Sequence, residues 1–214
     1  MYLSRVEIDV NNRQKISDLT HLGAYHNWVE QSFPEEFKNN ERTRKLWRID
    51  KVNEKKYLII LSSEKPEINE NGLEKYGVND SGETIDYDQF LTKLSNGMYA
   101  RFRMTLNPSV SKSTGKKSGK RGKVLQCLKY EDQISYLENR SIKNGFELIE
   151  SEYTVTSKNW EVLKRKKSKR CYIQQVCYEG RLVIKDLNKF KKVLCNGLGR
   201  KKAYGCGLIT IIPE

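Results

Sequence analysis

Two side chains in this chain of 214 residues ionise near neutrality without help, His21 and His26. With an ordinary pKa near ~6.5, either can take or give a proton at pH 7. A phosphodiester that brings its own nucleophile, as RNA does in its 2′-hydroxyl, asks little more of an enzyme. The hydroxyl must lose its proton and align with phosphorus, and the departing 5′-oxygen must gain one. A positioned histidine contributes about 10²–10⁴-fold to such transfers, and nearby lysine or arginine stabilises the charge that builds on the phosphorane. His26 suits that chemistry in a basic protein with few metal ligands to spare. Its spacing also allows a plainer role. Leu19, Leu22, His26, Val29 and Phe33 fall on one helical stripe, and on spacing alone a histidine at the edge of the core is the favoured reading. His21 reads as a surface residue of the first helical turn. Tyr25 is a second catalytic candidate, although on a helix it points about 100° away from His26.

What such a site would act on is indicated by charge. Forty basic residues against 27 acidic ones give a net +13. The excess is concentrated. Residues 111–123 hold Lys112, Lys116, Lys117, Lys120, Arg121 and Lys123 without one acid. Residues 164–170 are Lys164, Arg165, Lys166, Lys167, Lys169 and Arg170, interrupted by Ser168. A merely solubilising surface mixes both signs, so two concentrated basic segments indicate a polyanion such as RNA or DNA. The 164–170 run reads as a hairpin tip that contacts RNA, against the alternative of a lysine-blunted edge. For 111–123, an RNA contact and a flexible linker are equally good readings and compatible ones. A third segment, residues 197–207, places Arg200, Lys201 and Lys202 among four glycines. Backbone N–H groups there can approach phosphate closely, or the segment is a plain helix-to-strand turn. Without a GK[ST] it is no P-loop.

The elements that must position these residues follow from periodicity. A strand over 2–10 alternates Tyr2, Ser4, Val6, Ile8 and Val10 against polar neighbours, which leaves no room for a signal peptide. A helix capped by Ser17 is expected to run to Pro34. Strands at 46–49 and 57–61 join through a turn at Asn53, a polar loop covers 62–83, and a short helix lies at 88–94. A strand at 99–106, closed by Asn107 and Pro108, opens the second half. After the basic loop come a helix at 131–143 and two strands at 146–163 and 171–184, the first broken or bent. A helix capped by Asp186 and a strand at 208–212 finish the chain. The order is β-α-β-β-α-β in the second half, and β-α-β-β-α in the first with a strand that either half could claim. It predicts an α+β chain of two tandem ferredoxin-like (RRM-like) domains, β-α-β-β-α-β, residues 1–95 and 98–214. The RNP1 aromatic signature of RNA-recognition folds is missing.

Five cysteines without a CxxC pair give neither a disulfide framework nor a zinc site, so no metal or cofactor is expected. No apolar run reaches the ~20 residues that span a bilayer, and a cytoplasmic, membrane-free protein is expected.

Several short motifs, in order, resemble one known family. They are the opening Met1-Tyr2-Leu3-Ser4-Arg5-Val6, His26 eight residues before Pro34, Phe102-Arg103 followed by Asn107-Pro108, Val176-Cys177-Tyr178-Glu179-Gly180, and the glycine-rich segment 197–207 close to the terminus. The chain is similar, nearly end to end, to the CasE family, the prokaryotic CRISPR RNA-processing endoribonucleases of type I-E systems. The resemblance implies cleavage on the 3′ side of a repeat stem-loop by 2′-hydroxyl attack, leaving a 2′,3′-cyclic phosphate and a 5′-hydroxyl. It implies the repeat RNA, the retained mature crRNA and other surveillance-complex subunits as partners. The family's catalytic histidine maps onto His26, its stem-gripping hairpin onto 164–170, and a second contact onto 116–123. Some members carry a tyrosine three residues before the histidine; here that position is Gly23. A subunit that binds the repeat hairpin without cutting it, and a basic DNA-binding or ribosome-associated protein, are the alternatives.

Overall fold

The computed structural model describes residues 1–112, 122–164 and 171–214. Two four-stranded antiparallel sheets carry the chain. The first contains β1 (Tyr2–Glu7), β2 (Leu46–Val52), β3 (Lys55–Ser62) and β4 (Glu83–Asp86), in the order β2-β3-β1-β4. The second contains β5 (Tyr99–Leu106), β8 (Phe146–Leu163), β9 (Cys171–Ile184) and β10 (Ile209–Pro213), in the order β10-β5-β9-β8. Both orders place the first strand of a half between its third and fourth, the split β-α-β arrangement of the ferredoxin-like fold. The expected fold class is therefore found in both halves.

Alternation explains β1. Ser4, Val6 and Ile8 are buried, and pairing weakens after Glu7 to an isolated bridge between Ile8 and Gly77. β2 and β3 form a hairpin whose two turn residues, Asn53 and Glu54, both have positive φ (49° and 66°). That is the turn whose twist matches flanking strands.

Four elements differ from expectation. The first helix, α1 (Leu22–Gln31), starts at Leu22 and Ser17 does not cap it; His21 holds the cap position in extended conformation. Upstream, the Asn12 side chain accepts from the Lys15 backbone N–H, and the Lys15 ammonium binds the Gly77 carbonyl at 2.5 Å. These local bonds compete with helix, and Ile16 and Leu19 pack on the core from turns instead. Pro34 opens a further short helix, α2 (Pro34–Lys38), rather than only ending one. The fourth strand of the first sheet is β4, hidden from sequence in a loop because it has four residues and one large apolar side chain, Ile85. The helix α3 (Tyr87–Thr92), capped by Asp86, follows it. The basic loop leaves the second sheet through a two-stranded ribbon, β6 (Ser109–Lys112) with β7 (Lys123–Gln126), instead of running irregularly from β5.

The second half is otherwise as expected. α4 (Tyr130–Ser141) and α5 (Leu187–Asn196) lie between its strands, and the Asp186 side chain caps α5 by accepting from the Lys189 N–H. β8 is bent by an irregularity between Leu148 and Tyr153. Opposite sits Gly180 at φ 156°, where a Cβ would come within 2.3 Å of the Glu152 carbonyl oxygen. Only glycine fits there.

Two cores bind the halves together. One gathers Leu46 and Leu61 of the first sheet with Met104, Tyr178 and Phe190 of the second half. The other places Leu163, Ile173 and Cys206 of the second half against Trp28, Val29 and Trp47 of the first. Arg48 links the sheets. Its guanidinium pairs with Asp50 at 2.6 and 2.7 Å and donates to the carbonyls of Arg103 and Leu208 and to the Thr210 hydroxyl. All five of its N–H donors are used.

Candidate active site

α1 presents Leu22, Trp28 and Val29 to the interior, and the Trp28 indole N–H lies 3.2 Å from the carbonyls of Gly72 and Leu73. His26 is on the flank of that buried face, with its side chain 35 % exposed. It is not a core residue. It lines an open cleft of about 360 Å³ with Glu30, Arg42, Thr43, Arg44, Lys45, Lys202 and Ala203. The ring meets Tyr204 edge-on at 5.7 Å between centroids. Its Nδ1 lies 3.8 Å from Glu30 Oε1.

Burial lowers the His26 pKa from its ordinary value, Glu30 acts in the opposite direction, and Lys45 and Arg42 reinforce the lowering. The protonated imidazole is therefore disfavoured relative to that of an ordinary histidine. Lys202 is also pushed down, first by burial and then by Arg44. Its ammonium donates to the Asn196 carbonyl at 2.6 Å.

Tyr25 is turned elsewhere. It stacks on Trp47 at 6.1 Å and meets Trp28 at 6.4 Å. Burial, helped by Glu161, raises its hydroxyl pKa. It does not line the cleft with His26. Gly23 has a local reason: a Cβ there would meet the His21 ring at 2.8 Å, and the Lys164 carbonyl oxygen at 3.4 Å. His21 is fitted into that corner, its Nδ1 buried without a hydrogen-bond partner. Its pKa is lowered by burial and by Lys164.

The same corner brings two sequence features together. Lys164, at the end of the β8 arm, extends its ammonium to within 3.4 Å of the Thr20 hydroxyl beside the start of α1. The last described residue of the β8 arm thus lies next to the helix that carries His26. Arg165, Lys166, Lys167, Lys169 and Arg170 lie outside the described residues, as do Lys116, Lys117, Lys120 and Arg121. Lys123 pairs with Lys112 in the β6–β7 ribbon. Arg200 reaches that ribbon by donating to the Ser111 hydroxyl at 3.0 Å. Lys201 is exposed in a left-handed conformation, φ 61°. Among the three basic residues of the glycine-rich segment, Lys202 joins the His26 cleft.

Glu30, Arg42, Arg44, Lys45 and Tyr204 escape a reading by motif. Arg42-Thr43-Arg44-Lys45, three cations in four residues just before β2, is the signal that was available. No group of three or more His, Cys, Asp or Glu suited to a metal ion forms among the described residues.

A family model described as "CRISPR associated protein" matches residues 1–213. The chain belongs to this CRISPR-associated family. Within it, the CRISPR-associated endoribonuclease Cse3 of Thermus thermophilus is 24 % identical over 226 residues, covering all of both chains. The Cascade subunit CasE of Escherichia coli K12 is 28 % identical over 126 residues, 56 % of this chain and 61 % of its own. Cse3 bound to a 19-nucleotide RNA superposes over the whole of both chains with a TM-score of 0.80 at 22 % identity. Cas6e of Escherichia coli does so at 0.66 and 21 %. The CasE likeness seen in the motifs is borne out, and the fold of this CRISPR-associated chain is that of Cse3. No helix among the described residues is long and apolar enough to cross a membrane.

Proposed function

We propose that this chain is a metal-independent endoribonuclease that cuts CRISPR repeat RNA on the 3′ side of the repeat stem-loop and retains the crRNA. The observation that carries the reading is the placement of His26, partly exposed, in an open cleft with Arg42, Arg44 and Lys202. His26 takes the proton of the ribose 2′-hydroxyl. The 2′-oxygen attacks phosphorus, the bond to the 5′-oxygen breaks, and the products are a 2′,3′-cyclic phosphate and a 5′-hydroxyl. The arginines stabilise the phosphorane charge. Lys202, made more acidic by burial and Arg44, is the candidate to protonate the departing oxygen.

The domain division at residues 95–98 belongs to the same proposal, with His26 in the first domain and the stem-gripping hairpin in the second. Support comes from the relatives: an endoribonuclease by name, solved with RNA in a pre-cleavage complex, and a Cascade subunit. The partners proposed are the repeat stem-loop and the other subunits of a prokaryotic, cytoplasmic surveillance complex.

Incubating the protein with an end-labelled repeat RNA in EDTA tests the chemistry. Cleavage to a cyclic phosphate is expected, with His26→Ala slower by about 10²–10⁴-fold and binding the repeat as before. Intact RNA with the unaltered protein would leave a hairpin-binding subunit as the function, and a metal requirement would remove the mechanism but not the substrate. Retention predicts a single turnover; ready multiple turnover contradicts it.

A further inference from the structure

We infer that Glu30 is a positioning residue for His26 and that Lys45 holds Glu30 in place for it. The inference rests on His26 being the base. Glu30 follows His26 by one helical turn, so both side chains share a face of α1. One carboxylate oxygen lies 3.8 Å from His26 Nδ1 and the other 3.6 Å from Lys45 Nζ. The Lys45 side chain is 1 % exposed. Its ammonium is 2.5 Å from Glu36 Oε2 and 4.8 Å from the centre of the Phe33 ring. Glu36 is anchored in turn by the Thr43 hydroxyl and by the Thr43 N–H at 3.1 Å. The ammonium is thus fixed before substrate arrives.

A buried lysine is expensive unless paired, and Glu36 alone would pair it. A second carboxylate, on the partly exposed Glu30, leaves this group of three with a net charge of −1. That surplus faces Nδ1. When His26 accepts the 2′-hydroxyl proton, the new positive charge meets a carboxylate already in place, so the interaction is stronger after proton transfer than before it. The same carboxylate favours the tautomer with its proton on Nδ1, leaving Nε2 free for the substrate. Arg42, Lys45 and the burial of the ring oppose protonation, while Glu30 favours it; Lys202 and Tyr204 complete the surroundings. Protonation is thus disfavoured at rest, while Glu30 stabilises the charge once it forms.

The test uses Glu30→Gln, which keeps shape and removes charge. Single-turnover cleavage of the labelled repeat is measured from pH 5 to 9, beside an NMR titration of the His26 ring in the RNA-free protein, with His21→Gln to assign the two histidines. Cleavage is expected to slow by roughly tenfold or more, a part of what a positioned histidine supplies. The acid limb of the rate profile and the His26 midpoint should both move to lower pH. A slower enzyme with neither midpoint displaced would make Glu30 merely structural and overturn the inference, as would an unchanged rate. Should His26→Ala cleave normally, the base assignment itself fails; the NMR midpoint still reports whether Glu30 acts on the ring, so the two failures are told apart.

Discussion

His26 shows how one residue's meaning depends on a few ångströms of burial. Its position on an apolar stripe fits a core histidine, and the ring instead faces a cleft among arginines. Because burial lowers its pKa, the acid limb of cleavage is expected below the ordinary histidine value of ~6.5. A rate–pH profile with its midpoint above that value would contradict the neutral-base assignment. Stability carries the same sign. Both His26 and His21 have lowered values in the folded chain, so the unfolded chain binds protons more readily. Their contribution is fully present above about pH 6.5 and is lost as pH falls through the folded values. Thermal melts at pH 7.5 and 5.5 check it, with the lower transition expected at the lower pH.

Among the elements, the β8–β9 hairpin is the longest pair of strands described. Its arms were legible as long strands because β-branched and aromatic residues continue through 146–163 and 171–184, and the bend falls where Ser151 takes a positive φ in the irregular stretch before Tyr153, the partner of Gly180. The described end of the first arm, at Lys164, lies beside the start of α1. Replacing Lys166 and Lys167 with Ala is expected to weaken repeat binding and to reduce the slope of log affinity against log salt by about 1 or more. Unchanged affinity and slope in a filter-binding series would remove the hairpin from the RNA interface. The start of α1 was not legible, because side-chain-to-backbone bonds around Asn12 hold residues 11–20 in turns.

At the scale of the molecule, the two halves are one packed unit, and Arg48 shows why. Its guanidinium is almost fully buried and reaches from β2 to backbone carbonyls on β5 and beside β10. Arg48→Met leaves the Asp50 carboxylate buried with Arg103 at 3.7 Å as its remaining cation. A loss of about 3–5 kcal/mol is expected from breaking such a pair, measured by urea unfolding at pH 7. A loss under about 1 kcal/mol would mean that the sheets are held by their apolar contacts alone.

The amino-acid sequence by itself determined the β-α-β-β-α-β series of the second half, most of the first, and the concentration of basic charge, while spacing alone favoured a core place for His26. Periodicity, charge and residue type are local properties, and they survive without coordinates. Tertiary structure alone decided which strand completes the first sheet, since four residues with little apolar character pair only when a neighbouring edge is offered. It also decided that Arg42, Arg44, Lys45 and Lys202 surround His26. Residues 26 and 202 become neighbours because the glycine-rich segment of the second half folds back onto α1 of the first, a contact set by the packing of two sheets that no window along the chain contains.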